Sequence, residues 1–150
     1  MELLENTLDE PLDEFLSRPL FCFLGTASVE GHPRISPLWF LWEDERIWIL
    51  ADTVGKSYPG RVEQRPEAAL AIVAFDVESG LVQHVGMRGT AKLTSFDENR
   101  TYRLLRRYLG DNPDDWDPRF ADLDPERWSF IEFSPETVVA RDQSFVPSVD

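Results

Sequence analysis

The chain has 150 residues, a length that suits one domain (1–150) able to bury its own core without a disulfide or metal staple. It carries 28 acidic against 15 basic residues, a net charge of -13, which argues against nucleic acid and anionic membrane as partners because both would be repelled. With 42% hydrophobic residues, among them 10 Phe and 5 Trp, it is a folding sequence and not an acidic disordered tail.

In chain order, the acidic start MELLENTLDE has no apolar h-region, so no signal peptide is expected, and no apolar run reaches transmembrane length. EPLDEFLSR (10–18) predicts a short helix with Leu12, Phe15 and Leu16 on one face. LFCFLGTASV (20–29) predicts a strand, EGHP (30–33) a turn, and RISPLWFLW (34–42) a second strand. Glu43-Asp44-Glu45 forms a polar hairpin tip before a third strand, RIWILA (46–51). The Pro59-Gly60 pair breaks the pattern in 54–65, and a helical turn follows that ends at Pro66. AALAIVAF (68–75) is apolar without alternation, as expected of a strand covered on both faces. LVQHVGMRGTAKL (81–93) predicts a long strand bent or bulged at Gly86 and Gly89.

The clearest helix spans 96–109. Ser95 and Glu98 have capping-box spacing, Tyr102, Leu105 and Leu109 form an apolar stripe, and Gly110 is the stop. Arg100, Arg103, Arg106 and Arg107 are expected to face solvent or nearby acids. The acidic, Pro-rich stretch 111–127 is expected to be a solvated connection with one short helix. WSFIEFSP (128–135) and TVVARD (137–142) read as two closing strands. Five or six strands with few helices predict a mainly β fold, a small β-barrel with peripheral helices.

Cys22 is the single cysteine, so no internal disulfide forms; this suits a reducing cytoplasm, and its apolar strand makes it a core thiol. With only His32 and His84 beside it, no zinc set of the usual ligands is expected, and the spacing of NPDDWD does not match a calcium loop. Phosphate-loop, dinucleotide and nucleophile-elbow motifs are all missing, so an enzymatic reading depends on a cofactor.

The cations are more informative. Lys56 is one of only two lysines, and it stands five residues before Arg61 in a short loop. Alternation places Arg34, Ser36, Leu38 and Phe40 on one face of their strand, one hairpin away from that loop. Arg34, Lys56, Ser57 and Arg61 together supply two forked donors, an ammonium and a hydroxyl, an inventory suited to phosphate. Pairing with the many acids is the competing reading. On the long strand, Val82, His84, Gly86 and Arg88 share a face where a flat ring could approach the backbone.

The succession GHPRISPLWFLWEDERIWILAD, KSYPGR before RPEAALAI, LVQHVGMRGTAKL and a final ETVVARD resembles the pyridoxamine 5'-phosphate oxidase-like family, the flavin-binding split β-barrels, over roughly residues 12–142. The resemblance implies flavin mononucleotide (FMN) in a groove between the subunits of a homodimer. It implies a phosphate contact by Arg34, positions beside the flavin for Ser36 and Trp39, and backbone contacts at Leu50 and Ala51. Lys56, Ser57 and Arg61 fall in the phosphate loop, and His84 falls near the isoalloxazine ring. Many members read S-x-K-x-x-N-L in that loop, where this chain has KSYPGR. The C-terminal substrate segment of the true oxidases is not evident, so their named activity is not carried over. The implied function is an FMN-dependent oxidoreductase acting on a small molecule. The alternatives are a deazaflavin-coenzyme reductase of the same fold and a flavin-binding or sensing module without turnover.

Overall fold

The computed structural model describes residues 1–148 of the chain. The strands are β1 (Glu2–Asn6), β2 (Cys22–Ala27), β3 (Pro33–Leu38), β4 (Leu41–Glu43), β5 (Arg46–Asp52), β6 (Glu67–Asp76), β7 (Leu81–Thr94) and β8 (Trp128–Asp142). They are accompanied by the helices α1 (Leu12–Leu16), α2 (Tyr58–Gln64) and α3 (Glu98–Leu109). These strands form one sheet in the order β3-β2-β6-β7-β8-β5-β4, with β1 added parallel to β8. Its two ends, β3 and β4, are consecutive in the chain and separated only by Trp39 and Phe40. The sheet therefore curls until its edges are joined by covalent chain instead of a hydrogen-bonded ladder, which makes it a split barrel.

The break at 39–40 corrects the expectation of one strand over 34–42. Side chains of α3 take over the backbone groups there: the Phe40 N–H donates to Tyr108 Oη (3.0 Å) and the Phe40 carbonyl accepts from Arg107 Nη1 (2.8 Å). Pro37, which cannot donate to a ladder, sits on an edge strand where no donation is required. At the next hairpin, Glu43 pairs with Arg46 across Asp44 and Glu45, whose φ values of 55° and 53° are those of a tight two-residue turn matched to strand twist.

The two closing strands expected from the sequence are one, β8. Residues 128–133 of β8 pair with β5 and residues 137–140 pair with β1, so Pro135 marks the point where its edge passes from one neighbour to the other. Opposite Arg88 and Gly89 of β7 the register skips Glu136, so the irregularity expected at Gly89 is a bulge of β8 and not of β7. A Cβ on Gly89 would lie 2.0 Å from the Ser134 carbonyl oxygen, so this glycine permits the close approach of the two backbones. β1 is hidden in the sequence because its residues, ELLEN, are mostly exposed and its order comes from backbone pairing with β8.

The interior is apolar. Phe15 and Leu16 of α1 are fully buried with Leu24, Ile49, Ile72, Phe133 and others in the main core. On β6, Leu70, Ile72 and Ala74 point inward, whereas Val73 and Phe75 on the opposite face are 40% and 65% exposed. Cover on both faces is thus not supplied within one chain.

The helix α3 packs a second cluster, Leu104 and Leu105 against Leu41, Trp48 and Phe130. Its buried stripe is Thr101, Leu104 and Leu105, shifted from the expected one, and Tyr102 is 39% exposed. The N-cap is Asp97, which accepts from the Arg100 N–H, and not Ser95. Arg100 and Arg103 both bind Glu43, as expected of an arginine face, and Arg100 also lies over the Trp48 ring. Arg107 departs from that pattern: it is largely enclosed and donates to the carbonyls of Leu16, Arg18 and Phe40. Among the described residues no helix is long and apolar enough to cross a membrane.

Candidate functional site

The hairpin β2–β3 and the segment between β5 and β6 build one corner of the molecule. Thr26 of β2 is buried and stands directly opposite Arg34 of β3, so their side chains share one face with Leu24 and Ser36. Arg61 of α2 reaches the same point. Its Nε donates to Thr26 Oγ1 and its Nη1 to Ser57 Oγ, both at 2.8 Å. Arg34 and Arg61 therefore flank Thr26. The α2 helix begins at Tyr58, earlier than expected, with Pro59 and Gly60 inside its first turn; Pro is well tolerated there because the first N–H groups have no partner within a helix. This start places Arg61 one turn after Ser57, which is what lets it reach back to that hydroxyl.

The loop before α2 is held from below. Asp52, at the end of β5, is buried and binds Arg127 through both oxygens, at 2.9 and 2.7 Å, and its Oδ1 also accepts from the N–H groups of Val54 and Gly55. The hydrogen bonds from Arg127, helped by those from Gly55 and Val54, hold the Asp52 carboxyl well below the usual carboxylate range against the opposing effect of burial. Burial, aided by the nearby Asp52 charge, pushes the Tyr58 hydroxyl up to about 12, so it remains a neutral wall residue.

Arg18, Arg100, Arg103, Arg127 and Arg141 all pair with carboxylates. Among the described residues, Arg34, Lys56 and Arg61 do not, and neither do Arg65, Arg88 and Arg107. Among the described residues, the Arg34 side chain donates only to the carbonyl of its neighbour Pro33, and that of Arg61 only to hydroxyls. Ordinary ion pairing does not account for these cations.

Lys56, but not Arg34, Ser36, Ser57 or Arg61, lines a cleft of about 620 Å³, walled among others by Trp39, Leu50, Tyr58, Leu105 and Phe120. Trp39 stacks on Tyr108 (4.5 Å between centroids, 3° between planes) and on Phe120 (5.7 Å, 22°). The stack is fixed because the Tyr108 hydroxyl donates to the Leu20 carbonyl at 2.7 Å. Ala51 is fully buried and does not line the cleft, whereas Leu50 does.

His84 is not brought to this corner. It lies on the outer face of β7, beside Arg141 on β8 and Val73 on β6, in a separate shallow hollow of about 440 Å³ shared with Gly86 and Arg88. Of the two glycines expected to admit a flat ring, Gly86 has open space, with nothing within 4 Å of where a Cβ would stand, whereas the corresponding space at Gly89 is filled by β8. Cys22 is buried, and its thiol is pushed up to about 12 by burial, consistent with a core role. Among the described residues no cluster of metal-ligating side chains is present.

Several site residues are not legible in the sequence. Thr26 is found only through the β2–β3 register, and the Asp52–Arg127 pair joins residues 75 positions apart. The 111–127 segment is mostly exposed, as a solvated connection would be, with two short 3-10 turns (Pro113–Asp115 and Pro118–Phe120). Phe120 and Leu123 nevertheless turn inward and form one wall of the cleft. Their apolar character inside an acidic stretch is the signal that marks them.

The profile of the family described as pyridoxamine 5'-phosphate oxidase matches residues 8–138. No curated protein matches the chain. Among solved structures, a conserved hypothetical protein from Mycobacterium tuberculosis is similar with a TM-score of 0.76 at 15% identity, covering 100% of this chain and 97% of that one. An F420 reductase aligns with a TM-score of 0.66 at 21% identity over 87% of this chain and 98% of that one. HutZ, a heme storage protein from Vibrio cholerae, aligns with a TM-score of 0.64 at 15% identity over 90% and 91%. At these identities the structures show the fold alone. The family profile, spanning most of the chain, and the split barrel agree: the chain belongs to the pyridoxamine 5'-phosphate oxidase family.

Proposed function

We propose that the protein is an FMN-binding oxidoreductase of this family, acting on a small molecule from a homodimer. One observation carries the reading: in a chain of net charge -13, Arg61 bonds Thr26 and Ser57, Thr26 stands opposite Arg34, Lys56 precedes Ser57 in the chain, and among the described residues none of these three cations pairs with a carboxylate. A phosphate monoester fits that donor set, since the guanidinium forks and Ser57 offer directed hydrogen bonds and the ammonium adds charge. The adjoining cleft, with Trp39 and Leu50 in its wall, is apolar enough for a flat ring system. FMN, when bound, supplies the hydride or electron transfer, and the chain's residues bind, orient and shield it.

The homodimer is supported by the outer face of β3, β2 and β6. Ile35, Phe23, Val73 and Phe75 are 74%, 39%, 40% and 65% exposed there. A contiguous apolar face of this kind is what a second subunit covers. His84 lies on the continuation of that face on β7, so a dimer through it carries His84 to the interface.

A deazaflavin coenzyme is the second reading, favoured by the F420 reductase among the similar folds and by the same phosphate chemistry. A visible absorbance spectrum after addition of FMN, and separately of a deazaflavin coenzyme, followed by gel filtration, tests both. The flavin bands are expected to travel with the protein. Elution of FMN entirely as free ligand would sink the reading.

A further inference from the structure

We infer that the part of the cleft walled by Trp39, Leu105, Phe120 and Trp128 is a substrate subsite for a planar aromatic carboxylate, recognised by Arg119. The inference rests on the phosphate reading of the cation corner, because a phosphate engages Lys56 and leaves Arg119 as the second cation that lines the cleft.

Three observations support it. The wall is rigid and flat, since Trp39 stacks on Phe120 and on a Tyr108 held by the Leu20 carbonyl. A fixed planar wall favours planar ligands, which lose little conformational freedom on binding. Among the described residues the only carboxylate lining the cleft is Asp52, and both of its oxygens are already bonded to Arg127, so it does not oppose an anion. Arg119 is the lining group left to meet a charge. Its acidic partner among the described residues is Asp117 at 3.7 Å, a long contact, and its side chain is 75% exposed, with the guanidinium 5.0 Å from the centroid of the Phe120 ring in the cleft wall.

The chemistry is therefore a flat apolar body with one negative end. A cationic ligand would place its charge beside Arg119 and Lys56, and a flexible aliphatic acid would not use the stacked wall.

Calorimetric titration of the purified protein with 2-naphthoate and with its neutral analogue 2-naphthamide, each with and without saturating FMN, tests this. The acid is expected to bind roughly tenfold more tightly than the amide, the equivalent of one charge-assisted contact. Arg119→Gln is expected to erase that preference. Arg106→Gln, which removes an exposed cation of α3 outside the cleft, is expected to leave it unchanged. Equal binding of acid and amide by the wild type, no binding of either, or displacement of FMN by naphthoate overturns the subsite. A protein that takes up naphthoate with an Arg119-dependent preference but never binds FMN keeps the subsite and loses the flavin reading, so the two failures are distinguishable.

Discussion

Arg61 is the residue on which the candidate site turns. Its guanidinium is positioned by two hydroxyls, Thr26 and Ser57, which fix its direction without neutralising its charge. Arg61→Ala is expected to weaken FMN binding roughly 10- to 150-fold, the loss of one charged contact, while riboflavin, which lacks the phosphate, changes much less. Lys56→Ala is expected to act in the same direction but less strongly, because a flexible ammonium matches phosphate geometry less well than a fork. Fluorescence titration with both ligands separates a phosphate contact from general damage, which would weaken both alike. The Asp52–Arg127 pair makes a different kind of prediction. A carboxylate whose folded pKa is depressed contributes stability above its unfolded value, about 4, and loses that contribution as pH falls further. Arg127→Gln is thus expected to lower the melting temperature at pH 7, and the gap from the wild type is expected to narrow below about pH 4. A gap independent of pH would show that Arg127 acts through packing alone.

At the scale of elements, α3 anchors the cleft. Leu105 both fills the second core cluster and lines the site, so Leu105→Ala is expected to cost about 2–5 kcal/mol, with each kcal/mol lowering the melting midpoint by about 2–4 °C for a chain of this size. Tyr102, assigned by sequence to the apolar stripe, is 39% exposed, and Tyr102→Ala is expected to cost less. Differential scanning fluorimetry of the two variants checks the order. The elements themselves are readable where period and turn chemistry agree: the α1 face and the Asp44-Glu45 hairpin both follow from local sequence. They are not readable where a distant group decides. The strand over 34–42 breaks because Tyr108 and Arg107 take the Phe40 backbone groups, and β1 forms because β8 offers an edge. Of the candidate site residues, Arg34, Lys56, Ser57 and Arg61 are nominated by residue type and order, whereas Thr26 and Arg127 emerge only from pairing across the fold.

For the whole molecule, the acidic surface and the cationic corner belong to one design. Against that acidic surface, Arg34, Lys56 and Arg61 have no carboxylate partner among the described residues. The exposed apolar face of β3, β2 and β6 predicts a dimer at micromolar concentration in sedimentation velocity; a stable monomer would remove the shared groove. That the corner is a phosphate seat is tested most directly by calorimetric titration of the wild-type protein with FMN and with riboflavin under the same conditions. FMN is expected to bind at least about tenfold more tightly, as even one charged phosphate contact requires. Equal affinity for the two ligands would contradict it.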